Sequence, residues 1–321
     1  IESRDLEVTG LDQVPVELDV PTRIHDQGPS VTDQDVGVVA ENRQVDLDQL
    51  EANARGGDQQ AIVQLIGLLS AQETGVSDRA YTITVEIGER VVPVLLDQVH
   101  SEDKQQREYV IAALGTLKVV DAIPAIIDVL AQKTLERRYV AAWALGAIGD
   151  ATAIPALIDA LSDENSEVRR YATRALIKLN KVAVMPLIEY LAEAGGEGAA
   201  AAIRALGDIA DKRALDVLLV QARGDQRAEA FLALGKLRDA RAESALLIGL
   251  ENPDSTVRMN AAMARGPLGG PAAADALQKT LEDDVNVLRE WSARSMEMIT
   301  GKPVLYRNSH DEYVRPYLVY H

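Results

Sequence analysis

The sequence predicts an all-α protein: an α-solenoid of stacked helical pairs with an extended N-terminal arm and a short C-terminal tail. A tripeptide of the type Ala-Leu-Gly recurs with successive offsets of 31, 31, 30, 28 and 31 residues, beginning at Ala113, Ala144, Ala175, Ala205, Ala233 and Ala264. Proline recurs independently every 31 residues, at Pro93, Pro124, Pro155 and Pro186. Hydrophobic residues make up 47% of the chain but aromatic residues only 4%, which suits close packing of helices. Two residue types that keep one period indicate a repeat architecture.

The first predicted segment is an acidic arm over residues 1–45, which has no helical period. Within it, apolar residues alternate with polar residues and proline in a strand-like pattern: Val14, Val16, Leu18 and Val20. Such a segment is either disordered or held in extended form against the solenoid or a partner, so these four residues are candidate partner contacts.

The second predicted segment, residues 46–76, is an N-terminal helical cap. The stretch DLDQLEANARGGDQQAIVQLIGLLSA reads as two helices with a break at Gly56 and Gly57. Repeat arrays need capping elements at their ends because the terminal units lack a neighbour on one side.

The third predicted segment, residues 77–300, is the repeat array of about seven helical pairs. In each unit the first helix begins near the proline, since the first helical turn tolerates the missing N–H of a residue such as Pro155. Apolar residues then follow the helical period in both helices: Ile154, Leu157, Ile158 and Leu161, then Val168, Ala172, Ala175, Leu176 and Leu179. We expect Gly149, Gly207 and Gly235 to terminate the second helices. The variant sequence GGEGAAAAIRALG predicts a change of curvature.

The repeated sequence ALGAIGDATAIPALIDALSDENSEVRRYATRAL resembles the HEAT repeat, in the short bacterial form also found in HEAT-like phycobilin lyases. The resemblance implies an α-solenoid in which the second helices line the concave face. HEAT arrays serve as scaffolds, adaptors, chaperones and occasionally enzymes, so the fold alone does not give the function.

Arginine recurs at the start of the second helices and forms a predicted structural ladder: Arg107, Arg138, Arg169, Arg227, Arg258 and Arg289. We expect each guanidinium to bond an acidic or carbonyl group of an adjacent turn. An anion-binding groove is the alternative interpretation.

The predicted concave face carries aromatic, arginine and methionine residues that are typical of binding surfaces: Tyr139, Trp143, Arg170, Arg174, Arg204, Met259 and Met263. The alternative for Trp143 is that it fills space between helices. The last segment, residues 301–321, contains four more candidate contacts: Tyr306, Tyr313, Tyr317 and Tyr320. This tail either caps the last helix or acts as a docking peptide.

Charge and motifs limit the chemistry. A net charge of −17 argues against nucleic-acid binding, and the absence of cysteine excludes disulfides and thiolate catalysis. No catalytic constellation or cofactor site is predicted. The glycine-rich GPLGGPAAADAL at Gly266 lacks the Lys-Ser/Thr ending of a phosphate loop, so we interpret it as an inter-repeat turn. We interpret His310, Asp311 and Glu312 as a solvated triplet rather than a metal site.

The predicted function is a non-enzymatic scaffold or accessory subunit of a multisubunit complex, binding other proteins through the concave face and the tails. The alternative is a HEAT-like phycobilin lyase or isomerase, or a chaperone of a chromophore protein. No apolar run reaches the roughly 18 residues of a membrane span, so we expect a soluble protein, with peripheral membrane association left open. Because the sequence begins with Ile1, a cytoplasmic protein and one exported after removal of a signal peptide both remain open.

Overall fold

A computed structural model of the chain describes residues 47–268 and 271–316. The predictions made for the acidic arm, including Val14, Val16, Leu18 and Val20, and those for Tyr317 and Tyr320, lie outside the described residues.

The described residues form helices that alternate as first and second members of successive units. A leading helix is α1 (Leu47–Arg55). The first helices are α2 (Gln59–Gly67), α4 (Val92–Asp97), α6 (Ile123–Ala131), α8 (Ile154–Asp159), α10 (Val184–Tyr190), α12 (Leu215–Gln221), α14 (Glu243–Gly249) and α16 (Pro271–Thr280). The second helices are α3 (Thr74–Ile87), α5 (Lys104–Thr116), α7 (Tyr139–Ile148), α9 (Ser166–Leu179), α11 (Gly196–Ile209), α13 (Arg227–Leu237), α15 (Ser255–Leu268) and α17 (Asn286–Thr300).

The predicted α-solenoid of helical pairs is confirmed. The pairs from α4/α5 to α16/α17 are the seven predicted units, and α1 and the pair α2/α3 precede them. Because α3 spans residues 74–87, the boundary that the sequence suggests between the cap and the array, at residue 76, falls inside this helix.

Local signals in the sequence explain where the first helices start. Pro93, Pro124 and Pro155 occupy the first turn of α4, α6 and α8. A short 3-10 turn precedes several of these helices, and the side chain of Asp150 caps one such turn by accepting the backbone N–H of Thr152 at 2.8 Å. A side-chain acceptor at this position satisfies an N–H group that would otherwise have no partner.

The stack is built by packing each second helix on the next. The leucines of the repeated tripeptide, such as Leu114, Leu145 and Leu176, are completely buried. The glycine that follows permits a close approach of the neighbouring helix, because a Cβ on Gly146 would lie 2.6 Å from the Cβ and 2.7 Å from the Cα of Ala175. The 31-residue signature therefore encodes contacts between units.

Two predicted helix stops are wrong. Gly149 does end α7, with a left-handed φ of 80°. Gly207 and Gly235, however, lie inside the last turns of α11 and α13. The residues that cap these helices are Ala210 and Arg238, both in the left-handed conformation. Gly207 is retained for packing, since a Cβ there would lie 2.8 Å from the Cα of Ala233.

After α17 the chain forms a small hairpin of β1 (Tyr306–Arg307) and β2 (Tyr313–Val314), which pair antiparallel. The hairpin is fixed to α17 by hydrogen bonds at both ends of the helix. Arg289 Nε donates to the carbonyl of Arg307 at 2.6 Å, and the N–H of Val304 donates to Glu297 Oε1 at 2.9 Å.

Candidate functional site

Four side chains from α7 and α9 form one cluster, which we call the Arg-Tyr patch: Tyr139, Arg170, Tyr171 and Arg174. The rings of Tyr139 and Tyr171 stack with centroids 5.1 Å apart and planes 25° apart. The guanidinium carbons of Arg170 and Arg174 lie 5.0 and 5.8 Å from the Tyr171 ring centroid. Both distances are within the range of cation–π attraction, so the Tyr171 ring holds two cations in place.

The cations of the Arg-Tyr patch are accessible while the rings are not. Arg170 and Arg174 are exposed, whereas Tyr171 is buried and Tyr139 half-buried. Arg170 forms an ion pair with Glu167 on its own helix. Among the described residues Arg174 makes no hydrogen bond or ion pair, so its N–H donors are free to bind an acceptor. Burial raises the pKa of the Tyr139 phenol, which keeps it neutral at physiological pH.

Trp143 packs partly against the neighbouring helix of the stack. It is half-buried, and its Cζ3 atom lies 3.0 Å from where a Cβ on Gly115 of α5 would be. One edge of the indole therefore packs between α5 and α7, and the remainder is exposed one turn after Tyr139.

The other predicted face residues lie on different helices. Arg204 is exposed on α11, which belongs to the unit after that of α9. Met259 and Met263 are half-buried on α15. In the tail, Tyr306 is only 7% exposed and packs beside α17, while the Tyr313 ring is 65% exposed on β2. The structure thus gathers only part of the predicted face into one cluster.

Sequence reasoning missed Tyr171, which holds the patch together. Its neighbours Val168 and Ala172 are apolar, which by itself marks that side of α9 as core rather than as a site. Its spacing of three residues from Arg174 was the available signal, since residues three apart share a helix face.

Sequence reasoning also missed a buried acid on α5. The Glu108 side chain is only 5% exposed, and its Oε2 accepts a hydrogen bond from Arg137 Nη1 at 3.2 Å. Its Oε1 is buried with no hydrogen-bond partner among the described residues. Burial raises the pKa of Glu108, although the Arg137 charge opposes the change. Nearby, burial and the Asp78 carboxylate raise the pKa of Tyr109 to about 12.

The arginine ladder contacts the turns within and between units. Four of its members donate to the carbonyl six residues earlier: Arg107 to Ser101 (2.6 Å), Arg169 to Asp163 (2.8 Å), Arg258 to Asn252 (2.9 Å) and Arg289 to Asp283 (2.6 Å). Arg138 instead donates to the Leu130 carbonyl at 3.1 Å and forms a two-point ion pair with Asp163 at 2.6 and 2.9 Å. Arg227 is half-buried at the start of α13.

The remaining motifs lie in ordinary structural positions. In residues 47–268 and 271–316, no group of three or more His, Asp or Glu residues could hold a metal ion. His310 and Asp311 lie in the turn between β1 and β2, and Gly266 lies inside α15 against Ser295 of α17. No helix in these ranges is both long and apolar enough to cross a membrane.

Comparison with known families decides the classification. The family described as HEAT repeats matches residues 92–177, 136–198 and 219–297, and the family described as PBS lyase HEAT-like repeat matches residues 199–219. The chain belongs to the HEAT-repeat family. Together the matched ranges run without a gap from α4 into α17, so the helical pairs described above are HEAT units. No curated protein matches this HEAT-repeat chain.

Several solved structures are similar to the HEAT array. Human deoxyhypusine hydroxylase in complex with glycerol is 22% identical, with 79% of this chain and 100% of that chain covered and a TM-score of 0.35. The complex of CpcE and CpcF of phycocyanin lyase from Nostoc sp. PCC7120 is 24% identical, with 64% and 86% covered and a TM-score of 0.35. Kap95p in its complex with RanGDP is 13% identical, with 82% and 44% covered and a TM-score of 0.43.

Proposed function

We propose that this HEAT-repeat chain is a non-enzymatic scaffold, an accessory subunit of a larger complex, that binds an acidic segment of a partner protein at the Arg-Tyr patch. The observation that carries the proposal is the pair of exposed guanidinium groups held at the ring of Tyr171, which itself stacks on Tyr139. Arginines fixed in this way lose little side-chain entropy on binding, and they pair with carboxylates through two parallel hydrogen bonds.

The neighbourhood of the patch supports an acidic partner. Lys178 follows Arg174 one turn later on α9 and is exposed. Arg170, Arg174 and Lys178 thus place three positive charges on one helix of a chain whose net charge is −17. Such a contrast favours docking of an acidic segment at this place, because the rest of the surface repels it.

The test compares two charge reversals of equal size. Partners are recovered by affinity purification and mass spectrometry, and the Kd of the recovered protein is measured with the wild type and with each variant. The double variant Arg170→Glu, Arg174→Glu removes the patch cations, and Lys133→Glu with Lys181→Glu changes the charge equally at exposed positions elsewhere. We expect the first variant to weaken binding by at least about 2 kcal/mol and the second to weaken it far less.

Two outcomes contradict the proposal. Equal weakening by both variants would mean that only net charge matters, and unchanged binding by the patch variant would place the interface elsewhere. Far-ultraviolet circular dichroism must show the same helical signal in all samples. Trp143→Ala, measured in the same series, reports whether the exposed edge of the indole belongs to the interface.

A bilin lyase or isomerase is the second candidate, favoured by the match of residues 199–219 to the PBS lyase HEAT-like repeat. Its test is independent of any protein partner. The purified chain is mixed with free bilin, and a shift of the bilin absorbance spectrum is expected if a pigment site exists. An unchanged spectrum at high protein concentration rejects this candidate.

A further inference from the structure

We propose that the cavity beside Arg107 is a carboxylate-binding site. The cavity has a volume of about 310 Å³ and lies between the loop after α4 and the loop after α6. Its polar lining comes from His100, Glu102, Arg107 and Gln132, and Val129 and Leu135 supply apolar walls. It is separate from the Arg-Tyr patch, and the inference does not depend on the proposed function.

The first argument is a comparison of equivalent positions within the chain. At the start of α7, Arg138 holds the carboxylate of Asp163, which lies 25 residues later in the loop after the next first helix. At the start of α15, Arg258 holds Asp283 at the same separation of 25 residues, with distances of 3.0 and 3.1 Å. Two units of the array therefore place a carboxylate between the ladder arginine and the following loop.

At Arg107 the same place has no acid. The residue 25 positions after Arg107 is Gln132. Gln132 directly follows α6, and Asp163 directly follows the 3-10 turn after α8, so the two residues occupy equivalent positions. An amide cannot neutralise a guanidinium. The cavity beside Arg107 therefore lies at the position that is equivalent to the Arg138–Asp163 ion pair of the next unit.

The second argument is the state of Arg107 itself. Its side chain lines the cavity although the residue is only 9% exposed. Its one hydrogen bond among the described residues runs from Nη1 to the carbonyl of Ser101, so Nε and Nη2 retain unused donors. Because Arg107 lines the cavity, an anion there can accept hydrogen bonds from these donors.

The lining indicates which anion fits. A carboxylate can accept two parallel hydrogen bonds from the guanidinium, as Asp163 does from Arg138, and a third from the Gln132 amide. Glu102 in the same lining disfavours a dianion such as phosphate, which would meet an additional negative charge. The ligand class is therefore a monocarboxylate, either a small molecule or the C-terminal carboxylate of a peptide.

The experiment titrates the full chain with acetate, with trialanine, with trialanine amide and with inorganic phosphate at constant ionic strength, and follows the arginine Nε–Hε signals by NMR. We expect acetate and trialanine to shift the Arg107 signal and to leave that of Arg138 unchanged, because Asp163 already occupies Arg138. Tighter binding of trialanine than of acetate identifies a peptide terminus as the source, and equal binding identifies a small carboxylate.

Two variants make the test specific. Arg107→Gln, in which the backbone amide signals of the cavity lining replace the lost Arg107 signal as the readout, should lower the acetate affinity at least about tenfold. Gln132→Asp should do the same by supplying an internal carboxylate, and it should raise the Tm by about 2 °C because it pairs a buried cation. The proposal is overturned if acetate shifts no Arg107 signal, if phosphate binds more tightly than acetate, or if Gln132→Asp leaves both the acetate affinity and the Tm unchanged.

Discussion

Two neighbouring junctions of the array, α7/α9 and α9/α11, join their units by different means. At α7/α9 a glycine faces a small residue of the next helix, Gly146 against Ala175, and a ladder arginine, Arg138, holds the carboxylate of the next loop. At α9/α11 the glycine position is occupied by Ile177, and the residue 25 positions after the ladder arginine Arg169 is Ala194 rather than an acid. Arg169 instead lies 3.8 Å from the exposed carboxylate of Glu197.

The α9/α11 junction compensates through its first turn. Gly198 of α11 approaches the hydroxyl groups of Tyr190 and Ser162, which hydrogen-bond to each other at 2.6 Å. The close approach at this junction is therefore to side chains, those of Tyr190 and Ser162, whereas Gly146 at α7/α9 approaches the Cα and Cβ of Ala175. The difference shows that the period of a repeat can be kept while the contact that it encodes changes.

The largest expected effect comes from breaking the buried ion pair of the α7/α9 junction. Both Arg138 and Asp163 have side chains only 7% exposed. Replacing Arg138 with alanine leaves Asp163 buried without a counter-charge, so we expect a loss of about 3 kcal/mol of unfolding free energy in urea denaturation. Lys104→Ala, which removes the exposed pair with Glu136, serves as control and should change little. A loss of unfolding free energy no greater than that of the control would show that the ion pair does not stabilise this junction.

The next effect concerns the glycine of the α7/α9 junction. A methyl group at Gly146 would meet the Cα and Cβ of Ala175, atoms that cannot move without shifting α9. We expect Gly146→Ala to cost about 2 kcal/mol, although alanine is the better helix former. Gly67→Ala is the matched control, because nothing lies within 4 Å of a Cβ at that helical position, and it should leave stability unchanged or raise it. Stabilisation by both substitutions would contradict the close approach of the helices.

A smaller effect is expected for the equivalent test at α9/α11. A methyl group at Gly198 would lie 2.3 Å from the Tyr190 hydroxyl and 2.4 Å from the Ser162 hydroxyl, which are ends of side chains that can rotate away. We expect Gly198→Ala to cost about 1 kcal/mol, chiefly the lost hydrogen bond between the two hydroxyls. Chemical denaturation of Gly146→Ala and Gly198→Ala under identical conditions checks the order, and a reversed order would show that the two junctions do not differ as described.

The sequence predicted the repeat and its helices well, for a physical reason. Apolar periodicity and proline at the first turn are local signals, and every unit repeats them, so an error in one unit is corrected by the others. The roles of Gly207 and Gly235 were misjudged because glycine both ends helices and permits close packing. Only the position of the next helix distinguishes the two.

The contacts of the site were harder to predict. The ladder spacing of 31 residues marks the arginines, but the acid that Arg138 holds is 25 residues later, in a loop whose position depends on the stacking of two units. The stacking of Tyr139 on Tyr171 also joins residues 32 positions apart, one more than the period of that region. Such contacts follow from the angle between helices, which no local pattern specifies.

The smallest expected effects are changes in the free energy of unfolding with pH. They come from two acids, Glu108 and Asp163, whose pKa values are shifted in opposite directions. Burial raises the pKa of Glu108 from its ordinary value of 4.5, so the folded state binds its proton at a higher pH than the unfolded state does. As the pH falls from 7 toward the raised pKa, protonation of Glu108 relieves the burial of a charge, and stability should rise slightly. In Glu108→Gln the charge is absent, so this rise should disappear.

Asp163 responds in the other direction and at lower pH. Burial acts to raise its pKa, but the hydrogen bonds from Arg138 and from the backbone N–H of Asn165 outweigh burial and hold the pKa below the ordinary 3.8. The stabilisation by the carboxylate is therefore complete above about pH 4 and is lost as the pH falls through the depressed pKa of the folded state. Urea denaturation at successive pH values from 7 to 3 should show a slight maximum followed by a decline, with the decline reduced in Asp163→Asn. Because the ladder arginine of α9/α11, Arg169, pairs with no buried carboxylate, hydrogen exchange should show the acid-induced loss of protection first in α7 and α9. A loss that begins in α11 would contradict this assignment of the pH dependence to the Arg138–Asp163 pair.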